Sequence, residues 1–310
     1  MPFSSIVVGG TVAIDHVKTP QAEGTNLLGG SASFAALAAS LFSKQVGLVG
    51  VVGHDFPSQH LDMLEQSGIS LDGLERSEQE SFTWTGEYFE NMNERTTHKV
   101  GLNVLENWNP KVPEGFAQSE VVVLANMSPD NQLEMLEQCR NPKLVIADTM
   151  DLWIEIANER LHEVLKRVDI FVINESEARE LAGTSNLLEA GQILKAKGAK
   201  NVVIKLGEFG AMLFGNGGGW HGGLFKCSAY PLLQVADPTG AGDSFLGAMA
   251  GYLASLDLDD LRFNDLKKAV VYGSVAASFT CEAFSTDQIQ NVTRDELEGR
   301  VERLRSIVTW

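Results

Sequence analysis

With 310 residues, 44% of them hydrophobic, the chain has material for one large α/β domain or two smaller ones, and disorder is excluded. Its 24 basic against 41 acidic residues give a net charge of −17, which argues against nucleic acid or an anionic membrane as partner. Cys139, Cys227 and Cys281 lie far apart without a CxxC pair, so neither a disulfide framework nor a zinc site is expected. A small polyanion such as a nucleotide stays admissible, because backbone N–H groups, a helix terminus and a metal can hold it locally. No basic leader and no membrane-length apolar run is visible, and the expected compartment is a reducing cytoplasm.

In chain order, SIVVGG reads as a buried strand, and the segment at about 12–26 as part of a small β flap. The Ala-rich stretch 31–43 is predicted helical, and VGLVGVVG is a second buried strand. Residues 81–104 break the rhythm with Thr, Tyr, Phe and Trp in near alternation around an Asn-rich middle, as in an antiparallel hairpin. Together with 12–26 this segment is expected to form a lid subdomain inserted in a single main domain spanning 1–310, whose exposed flap could also pair with its twin in a homodimer. Trp84, Tyr88 and Phe89 read as packing within that flap, with contact to substrate as the alternative.

EVVVLAN, KLVIAD, DIFVIN and NVVIKLG then alternate with helical stretches at 151–166 and 186–198. Continuous Val/Ile runs separated by helices imply parallel strands covered on both faces, a layered α/β sheet. Asp148 and Asp151 close a strand where open α/β sheets bind ligands, and serve either there or as caps. GGGWHG at 217–222 satisfies GxGxxG but lies between two strand-like runs with no helix after it, so a turn is expected. No GxxxxGK[ST] motif is present.

DPTGAGDSF at 237–245 runs into LGAMAGYLASL, which has helical period, and this places Gly240, Ala241, Gly242 and Asp243 where a loop starts a helix. The first N–H groups of a helix lack internal partners and lie at the positive end of its dipole, so a bare backbone there can receive a phosphate. Asp243 beside such a charge could take a proton from an attacking hydroxyl; equally, it could be an ordinary N-cap.

This nonapeptide resembles the C-terminal signature of the ribokinase-like (PfkB) carbohydrate and nucleoside kinases. Gly29 and Gly30 with SASFAALAAS and VGLVGVVGHD are similar to the family's N-terminal signature, INESEA to its Asn-x-x-Glu motif, and VVIKLGEFGA to its nucleotide-binding strand and turn. The resemblance implies a Rossmann-like three-layer α/β sandwich with a small β-sheet lid, and transfer of the ATP γ-phosphoryl group to an alcohol. Asp243 is then the catalytic base, and the N–H groups of Gly240, Ala241 and Gly242 are the anion hole. Asp15, Gly29 and Gly30 hold substrate hydroxyls. Asn174, Lys205, Gly207, Gly210 and Thr239 face ATP, and Glu177 organises Mg²⁺ through water. Asp237, with Thr239 and the loop from Glu282 to Ser285, is the expected place for a monovalent cation such as K⁺.

Phe34 departs from the family pattern, standing where sugar- and adenosine-specific members carry an asparagine. An apolar or stacking pocket wall is the favoured reading there, and a plain core position the alternative. A sugar or sugar-like alcohol is the preferred acceptor, a nucleoside the alternative, and a non-catalytic ligand-binding protein on the same fold the distant one.

Overall fold

The computed structural model describes residues 5–217 and 222–309. Most of GGGWHG, expected as a turn, falls outside the described residues. The chain opens with β1 (Ile6–Gly9), β2 (Ala13–Lys18) and β3 (Glu23–Gly29), followed by α1 (Ser31–Ser40), β4 (Val46–Val52), α2 (Ser58–Gln66) and β5 (Ile69–Arg76). Then come β6 (Thr83–Tyr88), β7 (Arg95–Gly101), β8 (Val121–Leu124), α3 (Pro129–Gln138) and β9 (Leu144–Ala147). After α4 (Asp151–Ile156) and α5 (Asn158–Leu165), β10 (Ile170–Asn174) leads to α6 (Glu175–Ala182), α7 (Leu187–Ala196) and β11 (Asn201–Lys205). The last part holds β12 (Ala211–Phe214), β13 (Leu224–Cys227), α8 (Ala241–Ala254), α9 (Phe263–Thr280) and α10 (Arg294–Val308).

Nine strands form one sheet in the order β13-β12-β11-β10-β9-β8-β1-β4-β5, all running the same way except β12, which is antiparallel to both β11 and β13. β1, β4, β8 and β9 are buried along their whole length, which is why their sequences are unbroken apolar runs instead of alternating ones. Two clusters of buried side chains flank the sheet. One gathers α1, α8, α9 and α10 through residues such as Leu37, Leu246, Val270 and Leu297; the other gathers α3, α5, α6 and α7 through Leu133, Leu161, Leu181 and Leu194. Helix, sheet and helix thus make three layers. Among the described residues no helix is long and apolar enough to cross a membrane.

α1 is buried at all ten positions, so it carries no polar stripe and lies between the sheet and α8. The two helices approach to backbone contact. A Cβ at Gly247 would lie 2.0 Å from the Ala35 carbonyl oxygen, and one at Gly251 2.9 Å from that of Ala39.

A second, four-stranded sheet has the order β3-β2-β6-β7, drawn from the segments expected as a flap. β7 is exposed along nearly its whole length and forms an edge. The expected helix at 151–166 is two helices, because Ala157 leaves the helical region at φ −134°. The break lets Trp153 line a cleft while Leu161, Val164 and Leu165 stay in the core.

Candidate active site

In the main sheet β1 lies between β4 and β8, so the chain leaves β1 toward one side and later resumes on the other; ligands bind at the carboxyl ends of strands at such a switch point. A cavity of about 450 Å³ opens there. Its main-domain wall comes from Thr11 after β1, Asn126 after β8, Trp153 on α4, and Thr239, Gly240 and Asp243 at the start of α8. The second sheet supplies the facing wall, with Asp15, Trp84, Tyr88 and Arg95. The volume lies in the range of about 300–1,000 Å³ usual for small-molecule sites. A larger groove of about 990 Å³ lies elsewhere, between Phe42, Lys44 and Arg294, remote from these residues.

α8 begins without a side-chain cap, and Gly240 stands before it in the left-handed region at φ 77°. Of the three amides expected in the anion hole, that of Ala241 donates to the Pro238 carbonyl at 3.2 Å. Those of Gly240 and Gly242 have no acceptor among the described residues. Gly242 faces Lys205 closely: a Cβ there would lie 2.7 Å from Nζ. Asp243 sits half-buried on the cavity floor in the first turn. Burial raises its carboxyl above the usual range, and Lys205 and Arg95 oppose the rise.

Asp15 is 5% exposed, and its carboxylate has no hydrogen-bond partner among the described residues. Burial, then the negative charges of Asp237 and Asp243, raises it to about 8. It lies on Gly29 so closely that a Cβ at that position would fall 2.0 to 2.4 Å from the carboxyl atoms. Gly30, at φ 90°, turns the chain from β3 into α1. Asp15 is thus a bare acceptor held against the glycine pair.

Phe34 corrects the expectation of a stacking surface. The ring borders the cavity but is only 1% exposed, and Gly240 covers it so tightly that a Cβ on that glycine would lie 2.5 Å from the ring. It supports the bend from below.

On the far side of the α8 start, Asn174 ends β10 in register with Lys205 on β11. Asn174 and Glu177 cap α6 reciprocally: Glu177 N–H donates to Asn174 Oδ1 at 2.9 Å, and Asn174 N–H donates to Glu177 Oε2 at 3.0 Å. Burial raises the Glu177 carboxyl, with Lys205 opposing. Gly207 (φ 56°) and Gly210 (φ 91°) form the turn after β11. Gly210 lies against the Cys227 carbonyl, with a Cβ clearance of 2.0 Å, so its identity follows from hairpin packing.

Asp148 joins this group. It is 3% exposed, its Oδ1 is buried without a partner, and burial and then Asp243 raise its carboxyl well above the usual range. An orphaned carboxylate oxygen near Asp243, Glu177 and Lys205 fits a hydrated divalent cation carried by phosphates. Among the described residues no three His, Cys, Asp or Glu side chains converge to hold a metal unaided. Asp237 is fully buried and in no ion pair among the described residues; its oxygens accept from the Thr239 and Ser285 amides at 2.9 and 3.3 Å. Such an uncompensated buried carboxylate fits a monovalent cation.

Arg95 is the residue that sequence reasoning missed. It lies in an exposed-looking hairpin strand, and only its three-dimensional placement toward Asp243 and Glu177 marks it. Trp84 and Tyr88 also line the cavity, whereas Phe89 is 48% exposed.

Residues 4–292 match the model of the pfkB family carbohydrate kinases. A cytidine kinase of Thermococcus kodakarensis is 29% identical over 269 residues, covering 85% of this chain and 94% of that protein. Among solved structures, a ribokinase of Giardia lamblia superposes with TM-score 0.79 at 20% identity, covering 97% of this chain and 99% of that one. A nucleoside kinase of Burkholderia thailandensis in complex with inosine gives 0.76 at 16% identity, with 97% and 98% covered. The chain belongs to the pfkB family of carbohydrate kinases, phosphotransferases whose acceptor is an alcohol group.

Proposed function

We propose that the protein transfers the γ-phosphoryl group of ATP to a hydroxyl of a nucleoside or sugar, with Asp243 as base. The observation that carries the reading is the convergence at one helix start of a half-buried carboxylate, unpaired amides of Gly240 and Gly242, and the Lys205 ammonium. Phosphoryl transfer asks the protein mainly to align two oxygens and to neutralise spreading charge. The acceptor hydroxyl loses its proton to the Asp243 carboxylate as its oxygen bonds to the γ-phosphorus, while the bond to the bridging oxygen breaks and ADP departs. The Gly240 and Gly242 amides, with Lys205 and Arg95, face the charge on the moving group. Mg²⁺ held near Asp148 and Glu177 supplies further neutralisation when bound.

Asp15 accepts hydrogen bonds from acceptor hydroxyls beside Gly29 and Gly30. Trp84 and Trp153 line the same cavity with Met127 and Met150, a wall suited to a planar base; this lining, and the likeness to a cytidine kinase, favour the nucleoside over the free sugar. The second sheet acts as the lid that excludes water, and its open edge β7 is the surface through which a homodimer would form. K⁺ beside Asp237 is part of the reading, as is a reducing cytoplasm, in keeping with three free cysteines.

The test is Asp243→Asn with coupled ADP release over nucleosides and sugars. Loss of the base lowers kcat by about 10²- to 10⁴-fold with ATP binding largely retained. Unchanged turnover would remove Asp243 from the mechanism.

A further inference from the structure

We propose that Tyr88 is a positioning residue for phosphoryl transfer, tying the second sheet to the anion-binding bend through the Thr239 hydroxyl; this rests on the kinase reading above. Tyr88 is the last residue of β6 and is 8% exposed. Its Oη accepts a hydrogen bond from Thr239 Oγ1 at 3.2 Å, across 151 positions of sequence. Thr239 immediately precedes Gly240, and its own N–H is fixed on Asp237 Oδ1 at 2.9 Å. A displacement of β6 therefore acts on the residue that sets the bend, one peptide from the unpaired Gly240 amide.

Other contacts also join the second sheet to the main domain: His60 Nε2 on α2 lies 3.0 Å from the Asn26 carbonyl of β3, and the Ser33 hydroxyl on α1 donates to the Gly29 carbonyl at 2.8 Å. The Ser285 hydroxyl donates to the Leu28 carbonyl at 2.5 Å and holds the end of β3, and Asn93 Oδ1 lies beside Gly207. None of these reaches the bend that binds the phosphoryl group. Burial pushes the Tyr88 phenol up to about 12, with Arg95 and the Thr239 bond opposing, so it remains a neutral hydroxyl at working pH. Its own proton has no acceptor among the described residues, in a cavity shared with Asp15.

When the tie is lost, the bend and the base persist but the second sheet no longer closes on them. Water then competes as acceptor, its oxygen bonding to the γ-phosphorus and yielding ADP and phosphate in place of a phosphorylated alcohol.

The experiment compares Tyr88→Phe, Thr239→Val, Thr239→Ser and the Phe/Val double variant. The readout is the ratio of ATP hydrolysed to nucleoside phosphorylated, with hydrogen exchange of residues 83–101 in the ligand-free chains. Loss of one buried hydroxyl pair raises that ratio about 2- to 10-fold in Tyr88→Phe and Thr239→Val. Thr239→Ser keeps the wild-type ratio, the double variant is no worse than the weaker single, and exchange across 83–101 quickens. An unaltered ratio in Tyr88→Phe, or additive effects in the double, overturns the proposal. If the wild type phosphorylates neither nucleosides nor sugars, the kinase reading is what fails. Exchange still decides the tie: quickened in Tyr88→Phe it stands, unchanged it falls.

Discussion

Asp15→Asn separates what the buried acid costs the fold from what it gives the site. Folded, Asp15 keeps its proton up to about 8; unfolded, it releases it near 3.8. Between those values the folded chain binds more protons than the unfolded one, so stability falls as pH rises from about 4 to about 8 and levels off beyond. At about 1.4 kcal/mol per pKa unit the rise corresponds to an upper bound of about 6 kcal/mol, a large part of the 5–15 kcal/mol typical of a domain. The cavity admits water to the carboxyl, and a realised loss of about 2–4 kcal/mol is expected. Asp148, Asp237, Asp243 and Glu177 are also raised by burial and add slopes of the same sign, so the difference between wild type and variant reports Asp15 together with its coupling to Asp237 and Asp243. Urea unfolding between pH 5 and pH 8.5 is the assay. The variant should be the more stable chain at pH 8.5, with the gap closing toward pH 5, while at pH 8.5, where the wild-type carboxyl is ionised, its acceptor KM rises by about 10- to 100-fold through loss of charge-assisted hydrogen bonds. Superimposable pH–stability curves would refute the reasoning, since an acid that costs nothing to bury is not desolvated.

Gly29→Ala pushes a methyl group into the Asp15 carboxyl and should raise the acceptor KM at least about 10-fold, with KM for ATP little changed; equal effects on both substrates would count against the assignment. Arg95→Met should lower kcat/KM for ATP by about 10-fold or more, measured at saturating acceptor, and a wild-type value would take Arg95 out of the charge balance. Exchanging potassium for tetramethylammonium should lower kcat in the wild type but not in Asp237→Asn; identical rates in the two salts would dismiss the cation.

The strands of the main sheet were legible because burial on both faces leaves an unbroken Val/Ile run, as in β4 and β8. The start of α8 was legible because a bare bend needs glycine, and Gly240 shows why with its positive φ and its contact with Phe34. The Ala157 break escaped detection, since alanine carries no local signal against helix and only the packing of Trp153 and Leu161 demands the turn. Arg95 and Tyr88 were hidden for another reason. Their partners lie far along the chain, Thr239 at 151 positions from Tyr88, and alternation in a hairpin says which face a side chain takes but not what that face meets. Phe34 stays open between pocket wall and core in the sequence, because an aromatic ring at a pocket edge and one wedged beneath a bend look alike there.

The contact of α1 with α8 through Gly247 and Gly251 bears on how such an enzyme can be re-engineered. Where two main chains touch directly, there are no rotamers to readjust, so the spacing between the proposed acceptor anchor at Gly29 and Gly30 and the proposed base Asp243 on α8 is a fixed gauge. A mutagenesis campaign toward new acceptors should leave that seam alone and randomise Trp84, Thr97 and Val100 on the facing wall, where substitutions reshape the ligand's surroundings without moving the gauge.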